Sequence, residues 1–160
     1  MSNSPHTTSE GGPLPGLLRP PLVFLSSILL GVIANLAWPL PDLSPSLAPI
    51  GIALTLGAVV LFALSLREFR SAGTSVRGTK LTTTIVSTGP YRFSRNPIYV
   101  SFITFQFGLA IWMNSLWLLI TLVPAAACMS TVIIPREERF LERNFSNQYE
   151  RYKTTVRRWL

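Results

Sequence analysis

Two short clusters hold the residues most able to do chemistry. Gly89-Pro90-Tyr91-Arg92-Phe93-Ser94-Arg95-Asn96-Pro97-Ile98-Tyr99 places arginines, tyrosines and an asparagine directly before an apolar run, and Glu137-Glu138 follows the last apolar run. Arginine forms bidentate pairs with carboxylate or phosphate. A helix start adds unpaired backbone N–H groups and a positive dipole end. The glutamates supply the opposite charge. Such a pocket suits a zwitterion, with its acid toward Arg95 and its cation toward Glu137 and Glu138. Charges held against hydrocarbon are expensive, so they have partners or a task.

Four apolar blocks must position these clusters: Pro21 to Leu40, Leu47 to Leu66, Pro97 to Met113 and Leu116 to Ile134. Each approaches the roughly 17 to 25 residues that cross a bilayer as helix. With 160 residues, 48% hydrophobic and only 13% charged, the composition is unlike that of a soluble domain. An all-α polytopic membrane bundle of about four transmembrane helices follows, with a tail over 1–19 read as disordered and one domain over 20–160. Asn96-Pro97 predicts a sharp helix start, with asparagine as N-cap and proline in the first turn. The third and fourth blocks make a hairpin through Asn114-Ser115. Being antiparallel, they return Arg95 and the glutamates to one face. Pro124 predicts a kink that opens a lateral route from the bilayer, and Pro135 marks the exit.

From Arg136 to Val156 the pattern is that of an amphipathic helix, with an interruption expected near Asn144 to Asn147. Leu141, Phe145, Tyr149, Tyr152 and Val156 form one stripe at helical spacing, and Glu138 falls on it. Tyr149 and Tyr152 read as packing residues. Gly31, Ala34 and Ala37 in the first block and Gly51, Ala53, Gly57 and Ala58 in the second allow close helix approach. They would also suit a homodimer. The loop from Arg67 to Ser94 is expected to pack over the helix ends.

The net charge is +7. Six Lys/Arg lie between the second and third blocks, seven follow the fourth, and the short connections Pro41 to Ser46 and Asn114 to Ser115 have none. This is the positive-inside pattern, with termini and site on the cytoplasmic side. It accounts for the basicity without nucleic acid. Cys128 is the sole cysteine and His6 the sole histidine, which argues against a disulfide and against a metal site built on those ligands.

Gly89-Pro90-Tyr91-Arg92, Arg95-Asn96-Pro97-x-Tyr99 and Glu137-Glu138, followed by Leu141, Phe145, Tyr149, Tyr152, Val156 and Arg158, resemble the isoprenylcysteine carboxyl methyltransferase family. The related phospholipid methyltransferases share the pattern more loosely. The resemblance covers about Thr79 to Trp159. It implies an integral membrane methyltransferase using S-adenosylmethionine, enclosed by the last hairpin and the C-terminal segment (89–160). Tyr91, Asn96, Pro97, Tyr99, Glu137 and Glu138 would bind the cofactor, and Arg95 and Glu138 would be catalytic, with Arg95 orienting an anionic acceptor. Many members have histidine where this chain has Asn96, and asparagine does not titrate near neutrality. The implied acceptor is lipophilic: an isoprenylcysteine-like carboxylate, another anionic amphiphile, a phospholipid or a small thiol. A non-catalytic scaffold or lipid-binding subunit is the reading from another class. There Arg92 and Arg95 merely anchor a helix end and Asn96-Pro97 merely caps it.

Overall fold

The computed structural model describes residues 19–41, 44–72 and 85–160. The predicted tail, apart from Arg19, and residues 73–84 of the loop expected from Arg67 to Ser94 lie outside them. Among the described residues the architecture is entirely helical. It comprises α1 (Pro20–Ala37), α2 (Ala48–Ser71), α3 (Pro97–Trp112), α4 (Leu116–Cys128) and α5 (Ile134–Thr155). Short 3-10 turns at Pro45–Leu47 and Gly89–Arg92 precede α2 and α3, and a π-helical turn, Met129–Ile133, joins α4 to α5.

The helices Pro20–Ala37 and Pro45–Ser71 and the run Leu116–Phe145 are long and apolar enough to cross a membrane. The 16 residues of α3 rise about 24 Å, short of the ~30 Å hydrocarbon core. The bundle fits lipid. Leu25, Leu29, Ile33, Leu56, Val60 and Leu64 are exposed on α1 and α2, as expected of helices that are apolar all round.

One sequence expectation is revised. The second apolar block does not end in a loop at Leu66, because α2 continues to Ser71 and carries Arg67, Glu68 and Arg70 with it. Pro49 lies in the first turn of α2, where proline's missing N–H is harmless. Helix α4 continues through Pro124, and the departure from α geometry comes at Met129–Ile133. Pro135 explains that position. It lacks an N–H for the carbonyl four residues back and its ring crowds that carbonyl, so the preceding turn widens.

Backbone contact locks the bundle. α2 and α3 make its most extensive contact, where Gly51 and Gly108 face each other. A Cβ on Gly108 would lie 2.7 Å from the Thr55 nitrogen and 2.9 Å from the Gly51 oxygen, and one on Gly51 would strike the Trp112 nitrogen. A Cβ on Gly31 would meet Leu118 Cδ2 at 2.8 Å. Gly57, with the same apparent promise in sequence, faces open space. Inside the bundle, Gln106 of α3 donates to Ser27 of α1 at 2.7 Å and to the Leu118 carbonyl of α4 at 3.1 Å.

Candidate active site

The end of the bundle where α2, α3 and α5 meet carries the basic residues and both clusters. Its foundation is a turn. Gly89 has φ +57°, a conformation that disfavours any side chain. A Cβ there would also come within 2.7 Å of Glu68 Cγ. Glu68, at the close of α2, accepts a hydrogen bond from Thr88 Oγ1. The turn delivers Tyr91, whose ring packs edge-on against Phe69 of α2 at a centroid distance of 5.2 Å.

Asn96 occupies the N-cap position of α3, but its side chain makes no cap bond. Instead Asn96 Nδ2 donates to the Arg158 carbonyl at 2.9 Å. The Arg95 amide donates to the Arg157 carbonyl at 2.9 Å. Ser94 Oγ reaches the Arg158 carbonyl at 3.4 Å and accepts from the Asn96 amide at 3.1 Å. The predicted cap is thus a strap anchor: Ser94 to Asn96 bind the C-terminal segment across the start of α3. Pro97 is fully buried in the first turn.

The adjacent glutamates have different partners. Tyr99 Oη donates to both oxygens of Glu137, at 2.7 and 2.8 Å. Glu137 has no cationic partner among the described residues. Glu138, only 7% exposed, accepts from Arg95 Nη1 at 3.0 Å and from Arg158 Nε and Nη2 at 3.2 and 2.6 Å. Arg95 Nη1 also donates to Tyr149 Oη at 3.4 Å. Two arginines around one glutamate leave one positive charge, and the neighbouring carboxyl of Glu137 is bonded only to Tyr99.

Helix α5 wraps this cluster. It is assigned as one helix, not the two pieces expected around Asn144 to Asn147, yet it is curved. Lys153 Nζ reaches Glu142 Oε1 at 2.7 Å. A straight helix would hold residues eleven apart about 16 Å from each other, more than these side chains can bridge. The bend lets Tyr152 Oη donate to the Tyr91 carbonyl at 2.8 Å while Glu138, one helix end away, still holds Arg95. Burial pushes the phenols of Tyr91, Tyr149 and Tyr152 above their ordinary range, with Glu138 adding to the effect at Tyr149 and Arg95 opposing it there. All three remain protonated near neutrality.

Two polar atoms at this end are buried without a protein partner among the described residues: Tyr91 Oη and Arg95 Nε. A buried polar atom left unpaired is costly. With Glu137 lacking a cation among the described residues, three unmatched groups lie at this end of the bundle.

All six predicted site positions around the start of α3 and the acidic pair, together with Arg95, assemble here. Sequence reasoning passed over Tyr149 and Tyr152 as packing residues, although their stripe position beside Glu138 was the available signal. Ser94 and Glu68 gave none, and Arg158 entered only through its motif.

A membrane helical bundle with a buried, charge-paired side-chain cluster at one end is the class that fold and site define. Within that class, the sequence profile described as phospholipid methyltransferase matches residues 47–148. The chain belongs to that family, whose members are methyltransferases. No curated protein and no solved structure matches it.

Proposed function

We propose that the chain transfers a methyl group from S-adenosylmethionine to a lipophilic acceptor in the chamber formed by α3, α5 and the C-terminal strap, on the cytoplasmic side of the membrane. The observation that carries this reading is the set of unmet buried groups. Glu137 needs a cation, Arg95 Nε needs an acceptor and Tyr91 Oη needs a partner. Their charges, one negative beside one net positive, match the ammonium and carboxylate of the cofactor's amino-acid end. Glu137 would hold the ammonium, and the Arg95–Arg158 pair on Glu138 would hold the carboxylate.

When bound, S-adenosylmethionine supplies a methyl group on a sulfonium, already activated for in-line displacement. The residues here align and exclude water, which is most of what such a displacement requires. Tyr99 fixes Glu137, and Glu138 fixes both arginines. Asn96 holds the strap over the chamber and moves no proton. With Arg95 engaged by Glu138 and Tyr149, its charge is half spent before any acceptor arrives. That weakens it as the anchor of an anionic acceptor and favours a role toward the cofactor.

Membranes containing the protein, incubated with methyl-labelled cofactor, should yield a labelled lipid-soluble product. Glu138→Gln and Arg95→Ala should each abolish the labelling. Full turnover in both variants, correctly folded, would refute the assignment.

A further inference from the structure

The acidic residues nearest the motif turn and the start of α5 are all engaged. Glu68 is bonded to Thr88, Glu137 to Tyr99, and Glu138 to Arg95 and Arg158. Arg67, Arg70, Arg92, Arg136 and Arg139 are all exposed, and none has a carboxylate partner among the described residues.

Their depth is constrained. Arg67 lies 19 residues beyond Ala48, the start of α2, or about 29 Å along the axis, close to the thickness of the hydrocarbon core. Arg136 and Arg139 stand two and five residues beyond Ile134, at most about 3 and 8 Å from it. The headgroup layer is roughly 5 to 8 Å deep per side, so these side chains end within it. Phe93, next to Arg92 and four residues before α3, is 73% exposed. An exposed aromatic beside an arginine at this depth belongs at a membrane interface.

We propose that Arg67 and Arg70 of α2, Arg92 of the motif turn, and Arg136 and Arg139 of α5 form a binding surface for anionic phospholipid headgroups, with Phe93 inserted among the acyl chains beside it. Guanidinium forks pair bidentately with phosphate. A zwitterionic headgroup offers the same phosphate, but its own cation is repelled by the surrounding guanidinium groups. The surface therefore discriminates by net headgroup charge. It is distinct from the methyl-transfer chamber and does not depend on it.

The test uses the purified full-length chain in neutral detergent, titrated with phosphatidylglycerol or phosphatidylcholine, with bound lipids counted by native mass spectrometry. Phosphatidylglycerol should bind at least ten-fold more tightly, and raised salt should erode the difference. Each surface arginine contributes on the order of five-fold. Arg136→Gln/Arg139→Gln should thus remove most of the preference, as should Arg67→Gln/Arg70→Gln, with unaltered thermal transitions because the side chains are exposed. Millimolar inorganic phosphate should not displace the lipid. Equal retention of the two lipids overturns the proposal, as does an undiminished preference in both double variants. Displacement by inorganic phosphate would also overturn it, by revealing a phosphate pocket instead of a lipid surface.

Discussion

The two ends of this bundle handle polar groups in opposite ways. At the hairpin end, polar side chains hold the loops together. Asn114, at φ 55°, accepts from the Ser44 amide at 3.1 Å. Ser115 Oγ bonds Asn35 Oδ1 at 3.0 Å, and Trp117 Nε1 donates to the Trp38 carbonyl at 2.6 Å. At the basic end a comparable density of bonds holds the strap and the arginines, yet buried groups stay unmatched. On the reading proposed above, the groups unmatched at the basic end are those a ligand would meet.

This contrast can be broken by substitution. The largest effect is expected from Glu138→Gln, which leaves two arginines without their shared carboxylate. Losing one partner of a buried pair costs about 3–5 kcal/mol, and the half-exposed Arg158 reduces that to roughly 2–3. Methyl transfer should fall at least a hundred-fold, and a thermal melt in detergent should shift downward. Gly108→Ala comes next. Its Cβ would enter the α2 backbone, and overpacking of that kind costs about 1–3 kcal/mol. The loss should show in the melting temperature, while the folded fraction keeps its cofactor KM.

Gly89→Ala sharpens the comparison, because it strains a residue at φ +57° by about 1–2 kcal/mol in the turn that carries Tyr91. Here the cofactor KM should rise along with any loss of stability. The smallest effects separate the two ends most cleanly. Asn96→Ala and Asn114→Ala each remove one side-chain hydrogen bond to backbone, about 1 kcal/mol. Asn96→Ala should weaken cofactor binding several-fold by loosening the strap. Asn114→Ala should leave binding within two-fold of the native protein.

Much of this was legible in the sequence. Hydropathy marked the helices, Asn96-Pro97 marked the start of α3, and the antiparallel hairpin implied that Arg95 and Glu138 would meet. Local signals failed where tertiary partners decide. The cap preference of Asn96 yielded to the Arg158 carbonyl, which no spacing rule connects to it across 62 residues. Gly51 and Gly57 are alike in sequence, yet only Gly51 meets another backbone. The interruption expected near Asn144 to Asn147 appears as a bend within one continuous α5 and not as a break. Arg158 lies beyond the end of α5, where no periodicity reaches.

The central claim is that this chamber reads the two charges of an amino acid. It is tested most directly by equilibrium binding to the detergent-solubilised protein of S-adenosylhomocysteine, which has the amino-acid end, and of 5′-methylthioadenosine, which lacks it. The native chain should bind S-adenosylhomocysteine at least ten-fold more tightly, and Glu137→Gln should erase that advantage while sparing 5′-methylthioadenosine. Equal affinity for the two compounds in the native chain, or an advantage that survives Glu137→Gln, would contradict it.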